Sequence, residues 1–339
     1  MAIRIKNEKL REIRNSKGLS RKEVATSLGM NEDRIVNIED GRTGQTSNTV
    51  KYIEALCDLY KINKSDIINY DHKSTKVVVF GAGKGGTGKT TTAAEVVYHL
   101  SKKYKVLAID GDPQGNLSKM LGFQEIKKYN LFSLITIPEN EIESLNIGNY
   151  VFSSRLNNVD AITFHTSMYA ADKIINQRYV PMGIFKKIKE ILIEEGKYDF
   201  VIVDTSPQVS TYTMGLYTIS DKFYVPLDLA PFTIDSLPTF LEALNGAKAI
   251  KTSLWPGEEF KITGIIKTKA DMRQLIAKEV SNFIDTSLPY DVLEAIVPRT
   301  TVIEQAQYGS QFMEEYDAAS QAARKLIRAY EKISKEVEK

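Results

Sequence analysis

Cysteine is nearly absent: Cys57 is the only one in 339 residues, which excludes intrachain disulfides and clustered thiolate metal sites. No apolar run approaches the ~20 residues that a membrane-spanning helix needs. The N-terminal MAIRIKNEKL lacks the pattern of a secretory signal, so a cytosolic location is expected. Charge of one sign is not in excess either. Lys and Arg number 45 against 43 Asp and Glu, a formal net charge of +2. That balance excludes a histone-like polycation and leaves room for a local basic face. There are no internal repeats and no low-complexity tracts.

What is present is enough apolar sequence, 42% of the chain, for a sizeable core. The length suits two unequal domains. Residues 5–70 read as short amphipathic helices with tight breaks and no strand signal. The polar run NYDHKST, Asn69–Thr75, is the best linker. The boundaries expected are 1–70 for a small all-α domain, 71–75 for the linker and 76–339 for the main domain. Beyond the linker, β-rich runs at Val77–Phe80, Val106–Ile109, Phe200–Val203, Phe223–Val225 and Ile262–Ile266 alternate with helical stretches, and Val159–Phe164 reads as a further strand. Such alternation predicts an α/β fold with a mostly parallel, doubly wound sheet.

The chemistry concentrates after the first of these strands. KVVVFGAGKGGTGKTTT contains Gly83-x-x-x-x-Gly88-Lys89-Thr90, the phosphate-loop pattern, between an apolar strand and a helical run. In such a loop the backbone N–H groups of Gly83, Gly85, Gly86, Thr87 and Gly88 curl around phosphates. Lys89 reaches the outer phosphates, the Thr90 hydroxyl ligates Mg²⁺, and Thr91 follows at the start of the helix. ATP and Mg²⁺ are the cofactors expected. Two acidic strand ends follow, VLAIDGDPQGN with Asp110 and Asp112, and YDFVIVDTSP with Asp204. Carboxylates at the C-terminal ends of parallel strands face the ligand crevice of such a sheet.

A second loop lysine, Lys84, opens KGGTGKT, and here the sequence resembles the deviant Walker A ATPases of the ParA type. The resemblance implies that Lys84 reaches across a homodimer to the partner's nucleotide. It also implies that Asp112 orients the attacking water, Asp110 supports the magnesium shell and Asp204 holds a magnesium-bound water. DPQGN is characteristic of ParA; Ser206 departs slightly from the family pattern. Gly264–Thr268 and Ile296–Arg299 look like the strand ends that hold adenine, with Thr268 and Pro298 nearest to it. The likeness covers residues 76 to about 335 and is diffuse over 123–185. An iron–sulfur reductase of the same group would need interface cysteines. A tyrosine autokinase would need a tyrosine cluster where the last 20 residues hold only Tyr330. A membrane switch would need an amphipathic anchor, but Arg324–Lys339 mixes Glu331, Glu336 and Glu338 with its lysines. That tail therefore reads as a helix packed on the core.

In the N-terminal region Ser20 and Glu23 form an S-x-x-E capping box. Val24, Ala25 and Leu28 give an inner face, Gly29 a turn, and Asn31–Asp40 a further helix closed by Gly41. Residues 8–68 resemble the Cro and lambda-repressor-like helix-turn-helix group. This implies that Asn31, Glu32, Asp33, Val36 and Asn37 lie nearest DNA bases and Arg21 nearest a phosphate. Glu32 and Asp33 would repel phosphates, so a small bundle serving dimerisation stands as the alternative. The ParA resemblance further implies a nucleoid-associated ATP dimer, with Lys267, Lys269 and Arg273, and Lys248 and Lys251 near them, as cations for non-specific DNA contact. It also implies a centromere-binding ParB-like partner. Partitioning with autoregulation and a nucleotide-sensing regulator with little turnover are both compatible with these motifs.

Overall fold

The computed structural model describes residues 2–5, 7–42, 47–62, 67–71 and 75–339. Contacts divide the chain into two compact units, Met1–Ser74 and Thr75–Lys339. Of the expected linker, Asp71 belongs to a strand, Thr75 is buried with its hydroxyl on the Tyr198 carbonyl (2.8 Å), and residues 72–74 lie outside the described residues.

The first unit holds helices α1 (Asn7–Ser16), α2 (Arg21–Ser27), α3 (Glu32–Glu39) and α4 (Ser47–Tyr60). Both halves of the Ser20–Glu23 capping box form at the start of α2. Leu10, Val24, Ile35, Ile38, Ile53 and Tyr60 close the core. The absence of strand signal is corrected: β1 (Ala2–Ile5) and β2 (Ile68–Asp71) pair antiparallel, joining the two ends of the unit. A four-residue edge pairing leaves too short a pattern to be read from either segment. An ion cluster centred on the buried Glu39 ties the helices together. Glu39 accepts from Arg14 Nε (2.6 Å) and from Arg21 Nε (2.9 Å), while Asp40 is paired with Arg11. Arg21, expected nearest a phosphate, is held by the unit's own carboxylates.

The second unit is a sheet of eight strands, β3 (Lys76–Phe80), β4 (Val106–Gly111), β5 (Phe152–Ser153), β6 (Val159–Ile162), β7 (Phe200–Thr205), β8 (Lys222–Asp228), β9 (Ile262–Ala270) and β10 (Val292–Pro298). Their order is β10-β9-β8-β3-β7-β4-β6-β5, parallel except for the β5–β6 edge. Alternation buries both faces: Val77 and Val79 of β3 enter one core, Val78 and Phe80 the other. The first core is covered by α7 (Leu131–Ile135), α8 (Met168–Asn176), α9 (Gly183–Glu195), α10 (Thr211–Thr218), α11 (Pro231–Leu254) and α12 (Leu275–Ser287). The second lies under α5 (Lys89–Ser101), α6 (Asn116–Met120), α13 (Thr301–Tyr308), α14 (Met313–Tyr316) and α15 (Gln321–Glu338).

Helix α15 buries Leu326, Ala329, Tyr330, Ile333 and Val337 in that core, so its apolar stripe is covered by the sheet. Its terminal carbonyls accept from Lys76 Nζ (2.9 Å, Glu338) and Lys222 Nζ (3.1 Å, Val337), cations placed where a helix C-terminus is negative. Among the described residues no helix is long and apolar enough to cross a membrane.

Between α5 and α14–α15 the Glu95 carboxyl is fully buried. One oxygen accepts from the Met313 N–H (2.9 Å) and the other faces His99 Nε2 at 4.0 Å. Burial pushes Glu95 up to about 8 and His99 down to about 4; Lys102, Glu314 and Glu315 are the charged neighbours. Because the folded state holds the Glu95 proton more tightly, its contribution to stability is complete below the ordinary carboxylate pKa. It is then lost as pH rises toward 8, at about 1.4 kcal/mol per unit. Glu95→Gln keeps the Met313 acceptor and removes the titration. It should raise the thermal midpoint at pH 8.5 and change it little at pH 5; an equal shift at both values would contradict this account.

Candidate functional site

The chain leaves β3 toward β4 on one side and returns through β7 to β8 on the other, so the C-terminal ends of β3 and its neighbours open a crevice at the switch point. Into it the segment 81–88 projects as a loop. Gly86 (φ 77°) and Gly88 (φ 85°) adopt the left-handed backbone that side chains resist. Gly88 caps α5, whose N-terminus is thereby directed at the loop's hollow, a ready anion site. The Thr268 hydroxyl of β9 donates to the Thr87 carbonyl (2.7 Å) and fixes the loop to the sheet.

The hollow widens into a cleft of about 760 Å³ lined by Gly85, Gly86, Gly88, Lys89, Thr90, Thr91, Asp112, Gln114, Asn116, Tyr169, Pro207, Asp228, Lys269, Pro298, Arg299, Ile303, Glu304 and Gln307. Lys89 is buried, its ammonium on the Lys84 carbonyl at 3.4 Å. Burial lowers its pKa, and Asp204 and Asp112 oppose that shift. Asp204 is fully buried and neither of its oxygens has a hydrogen-bond partner among the described residues. Burial, followed by the nearby Asp110, holds its pKa well above the carboxylate range; the Thr90 hydroxyl pulls the other way. An orphaned carboxylate beside a threonine hydroxyl and a buried lysine, beneath a glycine loop, is a donor set that fits a hydrated divalent cation on a phosphate chain.

A family profile described as "AAA domain" matches residues 75–254. The chain belongs to this family, in its ParA/Soj branch. A second profile, "Helix-turn-helix domain", matches residues 8–66. The chain is similar to the chromosome-partitioning ATPase Soj of Treponema pallidum, 26% identical over 265 residues that cover 77% of this chain and 96% of that protein. It is equally similar to the chromosome partitioning protein ParA of Caulobacter vibrioides, 26% over 265 residues, covering 77% and 95%. Among solved structures, a putative plasmid partition protein of Borrelia burgdorferi bound to AMPPNP superposes with a TM-score of 0.61 at 20% identity, covering 78% of this chain and 98% of that one. The profile match and these relatives place the chain among the partitioning ATPases, and the solved structure shares its P-loop fold.

Within this ParA/Soj frame the expected site residues separate. Gly85, Gly86, Gly88, Lys89, Thr90, Thr91, Asp112 and Pro298 line the cleft. Gly83 does not; a side chain there would collide with Phe240, 2.7 Å away, so it serves packing. Thr87, within the loop, and Thr268 are joined to each other and do not line the cleft. Asp110, expected to support the magnesium shell, pairs in register with Asp204 but is already bonded within its own turn. Its oxygens are taken by the Ser118 N–H (2.8 Å), the Ser118 hydroxyl (2.7 Å) and the Asp112 N–H (3.2 Å), with the pKa pushed by burial to about 6. It shapes the turn that carries Asp112, whose own carboxylate accepts from the Gln114 N–H (2.9 Å).

Lys84 turns toward its own chain, 3.2 Å from Asp228 at the end of β8, with Thr233 also bonded to that carboxylate. Asp228 escaped sequence reasoning although the rule that found Asp110 and Asp204, a carboxylate closing a parallel strand, applies to it equally. Gln307, which donates to the Thr91 hydroxyl (2.6 Å), and Tyr169 carried no signal. Of the expected DNA cations, Lys267 is buried and paired with Asp285 (2.9 Å), and Lys251 is buried on Glu258 (3.6 Å), which corrects both. Arg273 is exposed beside Asp271 (2.8 Å), Lys248 lies 3.4 Å from Glu259, and Lys269 faces the cleft. In the helix-turn-helix unit Asn31 caps α3 by accepting from the Asp33 N–H (3.1 Å), and Asn37 is half-buried.

A buried carboxylate without partners lowers stability until a ligand meets it. Asp204→Asn should raise the nucleotide-free thermal midpoint by about 2–4 °C and abolish the extra stabilisation that Mg²⁺ adds to ATP. A variant that keeps a Mg²⁺-dependent shift would remove Asp204 from the metal site.

Proposed function

We propose that this chain is an ATP-driven partitioning switch that binds Mg²⁺–ATP in the cleft, dimerises around it and hydrolyses it slowly. The observation that carries the proposal is the orphaned Asp204 beside Lys89 and Thr90 under a glycine loop, in a chain of a partitioning-ATPase family. Lys89 and the α5 N-terminus would hold the phosphates, and Pro298 and Arg299 on the far wall would flank the base. Thr90 and Asp204 would hold a hydrated magnesium ion, which when bound neutralises phosphate charge. Asp112, the carboxylate of the acidic motif that lines the cleft, would orient water; removing such a group costs the chemical step more than binding.

The homodimer rests on Lys84. Its ammonium, now on Asp228, would leave that carboxylate for the partner's phosphates, exchanging one charge-assisted contact for another. DNA binding is proposed through the dimer and through the N-terminal unit, which would act at the operon's own operator. A ParB-like centromere-binding protein is the proposed partner, and the cytoplasm, on the nucleoid, the proposed location. The regulator reading keeps one specific support, the cis pairing of Lys84, which suits a monomer that senses nucleotide without turnover.

Light scattering and steady-state phosphate release distinguish these readings. Lys84→Ala should bind ATP yet remain monomeric, and Asp112→Ala should dimerise with turnover reduced at least tenfold. Dimerisation of Lys84→Ala equal to that of the unaltered chain would remove the sandwich. Unchanged turnover in Asp112→Ala would move the catalytic role elsewhere.

A further inference from the structure

We infer that Lys269 is a third lysine for the nucleotide phosphates, supplied from the sheet to the mouth of the loop and selective for a triphosphate over a diphosphate. The inference rests on the nucleotide-site reading above. Lys269 stands near the end of β9 with φ 49°, a left-handed backbone that a non-glycine residue holds only when its surroundings impose it. Both neighbours impose it. Thr268 is tied to the Thr87 carbonyl at 2.7 Å, and the Ala270 carbonyl accepts from the Arg299 N–H at 2.9 Å. The twist turns the lysine side chain out of the strand's alternation and over the loop. Its ammonium lies 4.0 Å from where a Cβ on Gly86 would stand, and both residues line the cleft with Lys89 and Asp112.

Three nearby cations have carboxylates: Lys84 has Asp228, Lys267 has Asp285 and Arg273 has Asp271, whereas Lys89 rests on the Lys84 carbonyl. Among the described residues none lies within ion-pair distance of Lys269. A strained backbone that aims an uncompensated ammonium at a phosphate loop matches a ligand that brings its own negative charge. Gly86 stands in the backbone cradle three residues before Lys89, the lysine that reaches the β- and γ-phosphates, and Lys269 lines the same cleft. A cation above it therefore meets most charge when the third phosphate is present. This reassigns Lys269 from DNA contact to nucleotide discrimination.

Displacement of a fluorescent nucleotide from the full chain by ATP and by ADP, with Mg²⁺, tests the inference. Lys269→Asn is the informative variant because asparagine tolerates the left-handed backbone; its nucleotide-free melting curve should match that of the unaltered chain. ATP affinity should fall about tenfold and ADP affinity less than twofold, while Lys269→Arg should retain most of the ATP preference. Equal ATP affinities in Lys269→Asn and the unaltered chain, or equal losses for ATP and ADP, would overturn the inference. Lys89→Ala separates the two levels. If it binds nucleotide normally, the nucleotide-site reading fails; if it loses binding while Lys269→Asn does not, only the role of Lys269 fails.

Discussion

A lysine and a carboxylate taken out of water must be compensated by each other or by a ligand, and in this protein Lys89 and Asp204 meet that requirement only in part. Lys89 rests on a backbone carbonyl, and both Asp204 oxygens lack partners among the described residues. The surrounding architecture keeps the two groups in this state. Strands β3, β4 and β7 hold Asp110 and Asp204 in register, Thr268 pins the loop, and two apolar cores prevent the sheet from yielding. Partly compensated charge in a rigid frame is what allows a phosphate–metal ligand to bind strongly, and its cost to the free protein is the usual one at a functional site.

The same logic distinguishes the other charges. Asp110 is satisfied by three donors and acts as structure, whereas Asp112, two residues on, reaches the cleft. Lys267 and Lys269 are two residues apart on one strand. Regular alternation sends both to one face, yet Lys267 is buried on Asp285 while the left-handed turn of Lys269 delivers it to the loop. Residue type and spacing do not separate such pairs; the carboxylates that claim one of them come from distant segments.

That difference explains what was legible beforehand. The parallel sheet, the loop, its flanking strand and helix, and the packed C-terminal helix follow from local pattern, because each is written within some ten to twenty residues. The β1–β2 pairing joins residues 2–5 to 68–71, and the ion cluster that takes Arg21 joins α1, α2 and α3. Neither leaves a local trace. The cleft wall contributed by Tyr169, Asp228 and Gln307 is likewise assembled from separate segments, and only Asp228, at a strand end, sits where a rule could have found it.

The central claim is that the glycine loop and the orphaned carboxylate form one Mg²⁺–nucleotide site. Isothermal titration of the full chain with a non-hydrolysable ATP analogue, with and without Mg²⁺, tests it most directly. The account predicts one nucleotide per chain, bound at least tenfold more tightly with Mg²⁺ present. Absence of binding, or an affinity indifferent to Mg²⁺, would contradict it.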